Sequence, residues 1–146
     1  MKIESYLFFN GTCEEAMNFY AKTIGAKISF TLRYKETPPD AKKGQPPLPT
    51  GWDDKIMHAN LVVGESSLMV SDVHESMCDG RPVNFNGFSL SITTKTVDET
   101  KRVFSALSQG GQVVMPVGPT FWGSPAFGML VDKFGVSWMI STEANQ

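Results

Sequence analysis

The chain carries two histidines, His58 and His74, and two cysteines, Cys13 and Cys78, so few side chains can exchange protons or attack as nucleophiles near neutral pH. His58 and Asn60 stand two apart in Ile56-Met57-His58-Ala59-Asn60-Leu61-Val62-Val63, and Met69 and Ser71 stand two apart in Ser67-Leu68-Met69-Val70-Ser71. Spacing of two puts each pair on one side of an extended strand. If the chain turns back at Glu65-Ser66, Val62 faces Met69, Asn60 faces Ser71, and His58 lies beyond them on the same side. An imidazole, a carboxamide, a thioether and a hydroxyl then share a surface on which His58 could contact a ligand or act in acid–base chemistry. The plainer alternative stays open: His58 bonded to a backbone carbonyl, with Asn60 and Ser71 satisfying each other. A second group, Asp72, His74, Cys78 and Asp79, has zinc-binding residue types but no zinc-binding spacing, and reads as solvated. Cys13, at a helix start, reads as a small packing residue, since no basic partner lies close in sequence, and no disulfide is expected.

The elements that would hold these residues come in two copies. Leu68-Met69-Val70-Ser71 returns as Trp138-Met139-Ile140-Ser141, and Thr12-Cys13-Glu14-Glu15 with Phe19-Tyr20 is echoed by Thr96-Val97-Asp98-Glu99 with Val103-Phe104. In the first copy, residues 6–9 read as a strand. Thr12 with Glu15 forms a capping box, and Ala16, Phe19, Tyr20 and Ile24 recur at helical spacing up to the stop at Gly25. A period-two strand over 27–34 and a hairpin over 56–71 follow. Between them, residues 36–54 hold Pro38, Pro39, Pro46, Pro47 and Pro49, a long loop with no regular structure expected. The second copy predicts a strand over 88–94, a helix over 97–108 capped by Thr96 and Glu99, a strand over 112–117, and a hairpin that turns at Asp132-Lys133-Phe134-Gly135. The organisation expected is one α+β domain: a βαβββ module over 1–72, a linker over 73–86, and a second module over 87–146. The two modules would form a curved, partly closed mixed sheet with the helices outside and a cleft inside.

With 146 residues, 41% of them hydrophobic, the chain can bury a core and is not disordered. A net charge of −2 offers no basic stripe, so nucleic acid is not expected as a partner. No apolar run approaches the roughly 20 residues that cross a bilayer, and Met1-Lys2-Ile3-Glu4-Ser5 is not a signal peptide; a cytoplasmic protein without membrane contact is expected.

The paired βαβββ plan resembles the vicinal oxygen chelate superfamily of glyoxalase I, bleomycin-resistance proteins and extradiol dioxygenases, and within it the PhnB-like branch. The resemblance is carried by Tyr6-Leu7-Phe8-Phe9 before Asn10-Gly11, Glu15-Ala16, Phe19-Tyr20 and His58-Ala59-Asn60. Met69-Val70-Ser71-Asp72, Gly87-Phe88, Phe121-Trp122-Gly123 and the run from Asp132 to Ile140 complete it. It implies the glyoxalase/bleomycin resistance/dioxygenase fold and a homodimer. Members of the branch often bear a demethylubiquinone methyltransferase label, but this sequence has no glycine-rich strand-to-helix turn followed by an acidic residue to hold a nucleoside-type methyl donor.

Laying the superfamily's metal-ligand pattern on the chain puts Ser5 and Met69 in the first module and Phe88 and Met139 in the second. None of these suits the divalent ion, so no metal and no other cofactor are expected. The Met69 side would be the cleft, with Leu7, Phe9 and Met139 on its wall beside His58, Asn60 and Ser71, and with Trp122 either capping its mouth or packing under the proline loop. The expected function is binding of a small molecule through His58, Asn60, Met69, Ser71, Trp122 and Met139. The alternative is a lyase, isomerase or dioxygenase, metal-dependent or using His58, on a small oxygenated substrate.

Overall fold

Alternating burial along the strands decides how each half of the chain folds. The computed structural model describes residues 1–144, with two compact units, one ending at Asn84 and the other beginning at Phe85. In the first unit the order is β1 (Ser5–Phe9), α1 (Cys13–Ile24), β2 (Lys27–Arg33), β3 (Ile56–Val63) and β4 (Ser66–Asp72). In the second it is β5 (Leu90–Thr94), α2 (Val97–Leu107), β6 (Gln112–Gly118), β7 (Phe127–Val131) and β8 (Ser137–Thr142). Each unit is a four-stranded mixed sheet, ordered β1-β4-β3-β2 and β5-β8-β7-β6, so the α+β class and the doubled βαβββ plan hold. A short 3-10 turn at Tyr34–Glu36 ends the strand expected to reach Tyr34, and the proline-rich stretch contains another at Pro39–Lys42, a small departure from the structureless loop expected. Among the described residues no helix is long and apolar enough to cross a membrane.

In the first sheet β1 runs parallel to β4 with Tyr6 level with Met69 and Leu7 level with Val70. Leu7, Phe9, Ala59, Leu61, Leu68 and Val70 are buried together with Ala16, Met17, Phe19 and Tyr20 of α1. The other face carries Tyr6, Phe8, His58, Asn60, Met69 and Ser71. This corrects two expectations. Leu7 and Phe9 belong to the core under the helix, not to the Met69 side, and Ser5 lies level with Leu68, on the face opposite Met69. The hairpin closes through Gly64 and Glu65, with Val63 level with Ser66 and Asn60 level with Met69. The expected register is thus off by two residues, and because two is the strand period every side chain keeps its predicted side.

Helix α1 begins without the predicted Thr12 cap: Thr12 makes no side-chain cap bond, and the Cys13 N–H donates at 2.9 Å to Oδ1 of Asp72, at the end of β4. Asp72 Oδ2 accepts the Ile56 N–H at 3.0 Å. A buried carboxylate at a helix N-terminus answers both the unpaired N–H groups and the helix dipole. Asp72 is therefore a core residue, 1% exposed, rather than the solvated linker residue expected. In α2 the expected cap does form, Thr96 Oγ1 accepting the Glu99 N–H at 3.2 Å. The second sheet repeats the plan: Ser91 is level with Met139, Met129 with Met139 and Phe127 with Ser141. Phe88 precedes β5 and lies outside the strand in which it was expected.

Candidate functional site

On the open face of the first sheet, three neighbouring strands bring one polar constellation together. Tyr6 from β1 reaches across β4 to His58 on β3, its phenol oxygen 2.7 Å from Nδ1. Ser71 of β4 lies buried on the same face, and its hydroxyl acts to lower the Tyr6 pKa. Burial raises the Tyr6 pKa above the ordinary phenol value, and the Ser71 hydroxyl only partly offsets that, so the phenol keeps its proton at neutral pH. Aromatic rings frame the pair. Tyr6 stacks on Phe8 with centroids 4.9 Å apart, and the His58 ring lies 6.0 Å from that of Phe30. Phe8 and Phe30 are each 48% exposed, a large apolar surface to leave to water.

The structure therefore groups His58, Asn60, Met69 and Ser71 as expected and adds Tyr6, which the sequence reading overlooked. The neighbour of Asn60 across the ladder is Met69, not Ser71. Met139 sits at the matching place on the second sheet. There an open recess of about 560 Å³ is lined by Phe85, Phe88, Ser89, Val131, Ser137 and Met139 among others. The Ser89 and Ser137 hydroxyls bond each other at 2.6 Å in its lining. Trp122 lies in the loop between β6 and β7 and packs edge-on against Phe121 at 4.9 Å and Phe127 at 5.4 Å.

A family model described as 3-demethylubiquinone-9 3-methyltransferase matches residues 1–141. The chain belongs to this PhnB-like family. It is 35% identical to protein YjdN of Escherichia coli (strain K12), over 100% of this chain and 98% of that protein. The solved structure of protein PA1353 from Pseudomonas aeruginosa shares 41% identity and a TM-score of 0.80, covering 99% of each chain. The PhnB protein of Bacillus cereus shares 32% identity and a TM-score of 0.71, covering 98% of this chain and 100% of its own. At fold level the likeness reaches a glyoxalase/bleomycin resistance protein/dioxygenase superfamily member from Sphaerobacter thermophilus, with 18% identity, a TM-score of 0.58 and 98% of each chain covered.

Within this PhnB-like chain the duplication supplies an internal control. Superposing the ladders places Tyr6 on Ser91, Asn60 on Met129 and His58 on Phe127. The second unit thus has a buried phenyl group where the first has a partly exposed imidazole.

The superfamily's divalent ion does not fit the side chains present. Ser5 and Met69 occupy opposite faces, Phe88 has no donor atom, and the Nδ1 of His58 is engaged by Tyr6. Among the described residues no group of three or more His, Cys, Asp and Glu side chains is placed to hold a metal ion. The Asp72, His74, Cys78 and Asp79 group is dispersed on other duties. His74 Nδ1 accepts the Ser76 N–H at 3.1 Å, and its ring meets Trp52 edge-on at 5.1 Å. Cys13 is fully buried. Burial, reinforced by the negative charges of Asp72 and Glu14, pushes its thiol far up, the reverse of the acidification a helix start can give.

Proposed function

We propose that this PhnB-like protein binds a small, flat molecule on the open face of its first sheet, without a metal ion, through His58 and Tyr6. Asn60, Met69 and Ser71 complete that surface. The observation that carries this reading is the Tyr6–His58 pair, hydrogen-bonded at 2.7 Å and flanked by the half-exposed rings of Phe8 and Phe30, at a position where the sister unit has Phe127. Polar groups held in fixed orientation beside apolar walls are what ligand sites are made of. Met69 adds a side chain that adapts its shape to an irregular ligand.

Methyl transfer from a nucleoside-type donor is not part of this reading. Each sheet has a single parallel pair, β1 with β4 and β5 with β8, and the helices are entered through Asn10-Gly11-Thr12 and Lys95-Thr96. Neither link offers the glycine-rich turn that seats such a donor.

Thermal unfolding against a panel of planar aromatic acids, ketones and amines tests the proposal. A compound at a hundred times its Kd stabilises the folded state by about 2.7 kcal/mol, which is visible as a raised midpoint. The midpoint shift is expected with the native chain and absent with His58→Leu. A shift that survives this substitution unchanged places the ligand elsewhere. Near-stoichiometric zinc, nickel, manganese or iron in the purified protein overturns the metal-free part.

A further inference from the structure

We infer that His58 offers its ligand a hydrogen-bond donor, and that the ligand meets it with an unprotonated oxygen, a carbonyl or carboxylate on an aromatic ring. This rests on the binding role proposed above for the first sheet's open face and assigns the chemistry of the occupant.

A neutral imidazole has one N–H and one free lone pair, and its partner at one nitrogen decides what the other can do. The partner at Nδ1 is the Tyr6 hydroxyl, 2.7 Å away. A phenol donates far better than it accepts, and an imidazole lone pair accepts better than a phenol oxygen. The proton between them therefore stays on Tyr6 and points at Nδ1. With the Nδ1 lone pair occupied, the ring proton of neutral His58 resides on Nε2. That nitrogen makes no hydrogen bond to the described residues, and the residue is partly exposed.

Two consequences follow for the occupant. A His58 in this tautomer has no lone pair at Nε2 with which to take a ligand's proton, so it polarises a bound oxygen instead of acting as general base. Around it stand Tyr6, Phe8 and Phe30, which favour a ring lying flat on the sheet. An aromatic ketone or carboxylate satisfies both demands. An aromatic ammonium satisfies only the second, because donor would face donor.

The test uses the full chain labelled with nitrogen-15, at about pH 8.5, well above the ordinary imidazole range. The His58 ring should give the spectrum of a protonated Nε2 and a lone-pair Nδ1, and Tyr6→Phe should turn it into a mixture of the two tautomers. Benzoate and acetophenone should move the Nε2 signal and bind roughly tenfold tighter than benzylamine, a difference of one charge-assisted or carbonyl hydrogen bond. His58→Gln, which keeps an N–H donor, should retain more of that preference than His58→Leu. A ring protonated at Nδ1 overturns the inference and leaves the binding role standing. Equal binding of benzylamine and benzoate does the same. The expected tautomer with no probe binding at all overturns the binding role itself, and the ligand class with it.

Discussion

Asp132 and Trp138 are joined through the second unit's hairpin: Oδ2 of Asp132 accepts the indole N–H of Trp138 at 2.9 Å. The other carboxylate oxygen takes the Phe134 and Val136 N–H groups at 2.9 and 3.0 Å. One buried side chain thus closes the turn between β7 and β8 and orients the ring at the start of the central strand. Asp132→Ala strands three buried or half-buried donors and should cost on the order of 3 kcal/mol. Chemical unfolding checks it. Asp132→Asn keeps one acceptor and should lose less.

Asp72 gives the fold a pH dependence of definite sign. Burial raises its pKa above the ordinary 3.8, against the lowering effect of the N–H groups of Cys13 and Ile56, the charge of Lys55 and the N–H of Gly11. A raised folded-state pKa means that the native chain holds the proton longer than the unfolded chain. The contribution of Asp72 is complete below pH 3.8 and declines as pH rises through its folded value. Unfolding midpoints measured from pH 3.5 upward should therefore fall more steeply for the native chain than for Asp72→Asn over that interval. Parallel curves would mean that Asp72 titrates alike in both states.

Two glycines let backbone and helix approach the second sheet, and their replacement should differ in cost. A Cβ on Gly128 would stand 2.7 Å from Cε2 of Phe104 and 2.9 Å from Cγ2 of Val117, side chains that can shift. On Gly111 it would stand 2.3 Å from the Val131 carbonyl oxygen, which is held in the sheet. Gly128→Ala should cost about 1–3 kcal/mol and Gly111→Ala clearly more, read as denaturation midpoints.

The edge strands β2 and β6 expose Ile28, Phe30, Val113, Val114 and Met115, an unusual amount of apolar surface for unpaired edges. A homodimer is the expected state. Light scattering at micromolar concentration should return twice the 16.1 kDa chain mass. Val114→Lys and Phe30→Lys should each shift that mass toward the single chain if their edge lies in the contact, and a monomeric native chain would refute the expectation.

Periodicity made the doubled plan legible, because Leu68 to Ser71 and Trp138 to Ser141 are central strands with the same in-out alternation. The His58, Asn60, Met69 and Ser71 side survived a misplaced turn for the same reason, the error being an even number of residues. Tyr6 was lost for the opposite reason. In Tyr6-Leu7-Phe8-Phe9 every residue is apolar or aromatic, so alternation is silent, and the parallel pairing with β4 that fixes its side spans over sixty residues. The one signal available was the hydroxyl: of the four, only Tyr6 carries a polar atom to share with His58. The α1 start misled in a similar way. Thr12 and Glu15 have the local spacing of a capping box, but Asp72, distant in sequence, takes the Cys13 N–H instead.

His58 stands where the sister sheet carries Phe127. The doubled plan gives the chain two versions of one architecture, an imidazole standing on one sheet where a buried phenyl ring stands on the other. On the binding role proposed above, exchanging the imidazole for another group would alter what is bound while the framework stays intact.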